Sequence, residues 1–236
     1  MLLHGFTQSA SSLEPLASMI GERTVLRVDL PGHGASSDVS ADLDAAAALV
    51  ADLAEGERFD VVGYSLGGRV ALHVACATPP GLRRVVTIGA SAGIADDDAR
   101  AARLERDVAT ADALESGGDV ASFISRWLAN PMFATLPPER ADVSGRLRNS
   151  AAGLADSLRR CSLGAQRWLM PELARLECPT LMVAGARDDP FVAQACAVAR
   201  ASSAVAAVSV PGAGHACHLE QPAVAARLIA RFLDET

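Results

Sequence analysis

The sequence predicts an α/β domain: a mostly parallel sheet, helices on both of its faces, and an inserted helical segment. Runs that are apolar on both faces, such as Val85-Val86-Thr87-Ile88 and Leu181-Met182-Val183-Ala184, alternate with stretches of helical period. Strands of that kind belong in a parallel sheet buried between two helical layers. At Gly63-Tyr64-Ser65-Leu66-Gly67 one such strand turns straight into a helix, the pattern of a tight turn that exposes its central serine. With 236 residues, half of them hydrophobic, the chain can fill one core, or one core with an insertion.

In chain order, Leu2-Leu3-His4-Gly5-Phe6 reads as the end of a buried strand breaking into a glycine loop. A helix over 11–20 follows, with Leu13, Leu16, Ala17 and Ile20 at helical spacing and Pro15 tolerated in its first turn. Thr24 to Leu30 is the second strand, closed by Pro31-Gly32-His33-Gly34. A helix over 41–54 enters through Ser40 or Asp42 and ends at Gly56. The strand over 59–63 leads into the turn, its helix runs over 69–77 and stops before Pro79-Pro80-Gly81, and 84–89 is the next strand. From Ala95 to Pro171 strand runs vanish; the segment is charged, with helical stretches over 99–113, 120–129, 138–148 and 153–161. It reads as an all-helical lid, which gives core over 1–94, lid over 95–171 and core again over 172–236. Strands at 179–185 and 205–210 and helices at 191–201 and 222–233 complete the pattern.

The net charge of −7 carries no basic excess, which argues against nucleic acid as a partner. No apolar run reaches the roughly 18 residues of a membrane helix. Met1 leads at once into core-like sequence rather than a basic leader, so a soluble, cytoplasmic protein without a membrane partner is expected. The five cysteines (Cys76, Cys161, Cys178, Cys196 and Cys217) show no paired spacing and read as structural thiols of a reducing compartment. Dispersed histidines and the lack of a phosphate-binding loop imply no metal and no cofactor, and the oligomeric state is left open.

A serine hydroxyl is a poor nucleophile or base at neutral pH and needs an imidazole, itself oriented by an acid. Two later strand ends offer both, in the order acid then histidine: Gly185-Ala186-Arg187-Asp188-Asp189-Pro190 and Pro211-Gly212-Ala213-Gly214-His215. Loops at the carboxyl ends of parallel strands share one rim, so Ser65, Asp188 and His215 are the candidate catalytic set. Asp189, nearer the helix start, fits a cap better and stands as the alternative acid. An oxyanion hole needs two converging amides: Leu66 after the serine, and Phe6, which Gly5 lets approach. His4 and His33 read as loop-shaping side chains, His73 as packing, and His218 as the first turn of the last helix. Arg69 lies one helical turn beyond Ser65 and can reach the same side, where its planar fork suits a carboxylate. Arg100, Arg103 and Arg106 recur every third residue, so some of them must face solvent.

These motifs, with Asp29-Leu30-Pro31-Gly32-His33-Gly34 added, resemble the α/β-hydrolase family from end to end. Within it the chain resembles the 2-succinyl-6-hydroxy-2,4-cyclohexadiene-1-carboxylate synthases of menaquinone synthesis. That likeness rests on Gly63 to Ala71 and on three lid segments: Ala99 to Arg106, Trp127 with Asn130 to Leu136, and Leu147-Arg148-Asn149 ahead of Gly153-Leu154. The resemblance implies the α/β-hydrolase fold with its helical lid, and a lyase that expels pyruvate from an enolpyruvyl cyclohexene. Ser65, His215 and Asp188 would act as the base, and Tyr64, Arg69, Arg103, Trp127 and Arg148 would line a site for a small anionic substrate. A serine carboxylesterase or carbon–carbon bond hydrolase is the alternative, and a non-catalytic ligand-binding protein the more distant one. Only three residues precede His4, so the sheet is expected to lack the family's leading hairpin at one edge, unless the true start lies upstream.

Overall fold

A computed structural model describes residues 1–235. Its framework is one sheet of six strands: β1 (Leu2–Leu3), β2 (Arg27–Val28), β3 (Phe59–Tyr64), β4 (Leu82–Ile88), β5 (Thr180–Gly185) and β6 (Val205–Val210). The spatial order is β2-β1-β3-β4-β5-β6, and every neighbouring pair is parallel. The chain therefore winds outward from β1 to β2, then reverses and builds the other half from β3 onward. That reversal opens a crevice between the carboxyl ends of β1 and β3, where ligands of such sheets bind.

Both faces are covered. The helices that cover them are α1 (Glu14–Ala17), α2 (Leu43–Asp52) and α3 (Leu66–Ala77) and, later in the chain, α8 (Met170–Leu173), α9 (Asp189–Ala201), α10 (Cys217–Glu220) and α11 (Pro222–Asp234). Side chains alternate along β3: Val61 joins the cluster under α2, α3 and α9, while Val62 and Tyr64 join the cluster under α1 and α11. Such two-faced burial is why the strands read as continuous apolar runs. Between β4 and β5 lie α4 (Asp97–Glu115), α5 (Val120–Leu128), α6 (Val143–Arg146) and α7 (Ala151–Arg160). They close on a small core of their own, with Leu114, Phe123, Ile124, Leu154 and Leu158 at its centre. Asp42, Asp96, Asp119 and Ser150 cap α2, α4, α5 and α7 by accepting first-turn amides. Among the described residues no helix is long and apolar enough to cross a membrane.

Four local expectations change. The helix over 11–20 is a 3-10 turn at Ala10–Leu13 and then the single turn α1, because Ser9, Ser11 and Ser12 spend their hydroxyls on local and lid partners. The strand over 24–30 shrinks to two residues, since its one neighbour, β1, is itself two residues long. The stretch over 138–148 breaks where Asp142 adopts a left-handed φ of 49°, leaving a 3-10 turn at Pro138–Arg140 and then α6. His218 belongs to the separate turn α10, because Pro222 opens α11 afresh.

Candidate active site

The turn between β3 and α3 is built by what cannot be there. A Cβ on Gly63 would stand 2.1 Å from the Gly67 carbonyl oxygen, and one on Gly67 would stand 2.3 Å from that of Leu3. Glycine at both positions lets α3 start against β1 and β3, with Ser65 at φ 51° and ψ −107° on the tip. This is a strained conformation for a residue with a side chain, and such strain persists only where the surroundings over-determine it. Leu66 is the first residue of α3, so its amide points out of a helix N-terminus.

Ser65 Oγ lies 3.2 Å from His215 Nε2, and His215 Nδ1 lies 2.8 Å from Asp188 Oδ2. Because the carboxylate accepts from Nδ1–H, Nε2 is left as the acceptor for the serine hydroxyl. The imidazole and the carboxylate are both buried. Asp189 instead opens α9 as its first residue, and it is Asp188 that meets the histidine. Glu220, also buried, accepts from the amides of Gly214 (2.7 Å) and Ala216 (3.1 Å), gripping the backbone on either side of His215. Phe191 packs against the imidazole with ring centres 4.6 Å apart.

The loop after β1 lies across the crevice. His4 donates from Nδ1 to the Gly5 carbonyl and accepts the Leu30 amide on Nε2; His33 donates to the Pro31 carbonyl and accepts the Thr7 amide. Burial lowers His4 to about 4 and His33 to about 3, so both are neutral loop-shaping rings at neutral pH. Neither Phe6 N nor Leu66 N has a hydrogen-bond acceptor among the described residues. His73 Nδ1 meets Asp44 Oδ1 at 2.7 Å, on the outer side of α3, remote from the serine.

Beside Ser65 opens a cavity of about 480 Å³, of the size that holds a small ligand. Phe6, Leu66, Arg69, Arg103, Arg106, Asp107, Trp127 and Phe191 are among its walls. Arg69 donates to the neutral Gln166 amide at 3.3 Å, and Gln166 in turn holds the Ser91 carbonyl. No carboxylate pairs with Arg69 among the described residues, and burial pulls its guanidinium down to about 10. Arg103 is gripped at Nε by both Asp107 oxygens, of which Oδ2 also accepts from Ser162 Oγ, so its terminal nitrogens remain free among the described residues. Arg69, Arg103 and Arg106 against the single carboxylate of Asp107 give the residues around the cavity an excess of positive charge.

Two expected lining residues lie elsewhere. Tyr64 follows the strand alternation into the opposite cluster, its ring packed on His218 and beneath Gly5, where burial raises its phenol. Arg148 is exposed and donates to Ser11 in a separate surface cleft. Sequence reasoning missed Arg106 as a lining residue, along with Asp107, Gln166 and Glu220. The four-residue step from Arg103 to Asp107 is a helical pairing signal, whereas Gln166, in a loop, gives none. Cys217 is buried and unpaired, and burial pushes its thiol to about 12.

A family model described as "Alpha/beta hydrolase family" matches residues 1–228. The 2-succinyl-6-hydroxy-2,4-cyclohexadiene-1-carboxylate synthase of Serratia proteamaculans is 34% identical over 238 residues, covering 98% of this chain and 91% of that protein. That of Enterobacter sp. is 34% identical over 239 residues, covering 99% and 90%. The solved structure of MenH from S. aureus superposes with a TM-score of 0.91 at 28% identity, covering 98% of this chain and 91% of that one. By family model, relatives and fold together, the chain belongs to the α/β-hydrolase family, and within it is similar to 2-succinyl-6-hydroxy-2,4-cyclohexadiene-1-carboxylate synthases over nearly its whole length.

Proposed function

We propose that the protein is a carbon–oxygen lyase of menaquinone synthesis. It converts 2-succinyl-5-enolpyruvyl-6-hydroxy-3-cyclohexene-1-carboxylate to 2-succinyl-6-hydroxy-2,4-cyclohexadiene-1-carboxylate and pyruvate. The observation that carries this reading is the Ser65–His215–Asp188 chain opening onto a cavity that also presents Arg69 and Arg103. The substrate carries three carboxylates, and the unpaired Arg69 guanidinium and the terminal nitrogens of Arg103 suit them. An esterase for neutral lipids would have no use for that charge.

The chemistry follows from the substrate. The ring hydrogen at C2 is acidified by the adjacent succinyl ketone. His215, through the Ser65 oxygen, takes this proton, and Asp188 stabilises the imidazolium that forms. The electrons pass to the ketone oxygen, where the Phe6 and Leu66 amides face the developing oxyanion. Collapse makes C2=C3, shifts C3=C4 to C4=C5 and breaks the C5–O bond, and the departing enolate takes a proton to become pyruvate. No acyl-enzyme is formed, and no metal or organic cofactor takes part in these steps. Five unpaired thiols fit a reducing, cytoplasmic setting for such an enzyme.

The test is pyruvate release from the enolpyruvyl substrate, coupled to lactate dehydrogenase, for the unaltered protein and for Ser65→Ala. Release well above the spontaneous rate, abolished in the variant, is the expected result; release at the spontaneous rate would overturn the proposal. The alternative, a serine carboxylesterase, is favoured by the same Ser65–His215 contact. It would show as burst kinetics with a p-nitrophenyl ester and acylation of Ser65.

A further inference from the structure

We propose that Arg146, in the lid, is a positioning residue that aims the Phe6 amide at the oxyanion and so couples the lid to the reactive centre. This rests on the oxyanion role given above to Phe6.

The backbone groups of residues 5–7 are held by named partners. The Gly5 amide donates to Gln8 Oε1 and the Gln8 amide to the Gly5 carbonyl, both at 3.0 Å. The Thr7 amide donates to His33 at 3.2 Å, and the Thr7 carbonyl accepts Asn149 Nδ2 at 2.6 Å. The Phe6 carbonyl accepts Arg146 Nη1 at 3.3 Å, and the same nitrogen donates to Thr7 Oγ1. Of the backbone groups of Gly5, Phe6 and Thr7, the Phe6 N–H alone has no partner among the described residues.

Thr7 sits at φ 69°. A β-branched residue in the left-handed region is a strained choice, so the loop does not hold this shape unaided. The peptide that joins Phe6 to Thr7 is gripped at both ends, its oxygen by Arg146 and its N–H by His33. Fixing that peptide fixes ψ of Phe6, and the Gly5–Gln8 bonds fix the peptide before it. Between them the Phe6 amide is left with one direction.

Arg146 is an expensive way to hold a loop. Its side chain is 1% exposed, and among the described residues its partners are neutral oxygens: the Ala141 and Phe6 carbonyls and the Thr7 hydroxyl. A buried cation without a carboxylate is disfavoured by desolvation, and a neutral tether would suffice if only packing were needed. A cation adds a charge-assisted bond to the Phe6 carbonyl, stiffer than a neutral one. Because Arg146 and Asn149 both belong to the lid segment 141–149, the loop takes this shape only with the lid seated.

The test compares Arg146→Met, which keeps the stem and removes the cation, with Arg146→Lys and Asn149→Ala. Two readouts are taken on each: kcat and KM, and inhibition by phenylboronic acid, whose tetrahedral adduct on Ser65 places an oxygen in the oxyanion hole. Loss of a well-aimed donor predicts that kcat and boronate affinity in Arg146→Met fall together by about 10- to 100-fold, with KM within about threefold. Arg146→Lys should recover part of both, and Asn149→Ala should lower both by a smaller factor. A folded Arg146→Met with unchanged boronate affinity, or with only KM altered, overturns the proposal. If that variant does not fold, unchanged boronate affinity in Asn149→Ala overturns it instead. Pyruvate release absent from the unaltered protein, with boronate still bound, would remove the lyase reading alone; kcat would then be read on a p-nitrophenyl ester. No boronate binding by the unaltered protein would remove the oxyanion site and this inference together.

Discussion

Replacing Arg69 by Met should raise stability while lowering activity, and the two signs come from one cause. Burial holds the Arg69 guanidinium at about 10, below the ordinary arginine value of about 12.5. At about 1.4 kcal/mol per pH unit that gap corresponds to about 3 kcal/mol, an upper figure because part of the side chain stays open to the cavity. The pKa of this cation is lower in the folded state, so the penalty is fully present at every pH well below 10, including pH 7, and is relieved only as pH rises through 10. Met keeps most of the stem and removes the charge, but it leaves Gln166 Oε1 without its donor, at a cost of about 1 kcal/mol. The net gain is about 1–2 kcal/mol, or a rise in Tm of about 2–8 °C for a chain of this size. The substrate loses a charge-assisted contact worth about 1.5–3 kcal/mol, so kcat/KM should fall about 10- to 150-fold. Thermal melting and the coupled pyruvate assay on one preparation read both. A variant that melts lower and keeps kcat/KM within about threefold would show Arg69 to be a structural residue and refute the reasoning.

Asp188→Asn should cost about 10³–10⁴ in kcat by presenting the wrong partner to Nδ1, whereas Asp189→Asn should stay within about threefold; the reverse order in steady-state assays would reassign the acid. Glu220→Gln removes one of the two acceptors flanking His215 and should lower kcat by about tenfold or more at constant KM; a change in KM alone would contradict that role. His4, His33 and His218, lowered by burial to about 4, about 3 and about 3, bind protons later than the unfolded chain does as pH falls. Stability should therefore decline below about pH 6.5 by up to about 1.4 kcal/mol per pH unit for each ring, and equal urea midpoints at pH 7.5 and 5.5 would exclude this. Cys161 and Cys217, pushed up by burial to about 11 and about 12, should stay unmodified by a thiol reagent at pH 8 until denaturant is added, as counted by mass spectrometry.

The fold was legible because its rules are local. Strands buried on two faces are apolar throughout, and Gly63 and Gly67 leave a spacing that only a tight turn requires. The convergence of Ser65, Asp188 and His215 was legible for a related reason, since each lies in the turn or loop that follows a parallel strand. Tyr64 and Arg148 show where that legibility ends. Which way Tyr64 faces is set by the alternation of β3 and by the room that Gly5 leaves on the other side, and Arg148 is turned outward by the short helix α6. Gln166, Asn149 and Arg146 act through contacts with residues 75 to 142 positions away in sequence. Spacing within a helix or strand carries no trace of such contacts.

The arginines themselves separate structure from function. On the surface Arg23, Arg27, Arg83, Arg159, Arg160 and Arg167 each hold at least one carboxylate, so their charge is already satisfied. Such exposed pairs contribute little, about 0–1 kcal/mol each. Arg69 is arranged in the opposite way, and Arg103 is only partly satisfied, by Asp107. One rests on a neutral amide, and the other is gripped at Nε with its terminal nitrogens free. A carboxylate partner for Arg69 would take up the charge that its guanidinium offers to an anion entering the cavity. Leaving Arg69 and the terminal nitrogens of Arg103 without a carboxylate keeps their charge-assisted hydrogen bonds available to an anion that enters beside Ser65.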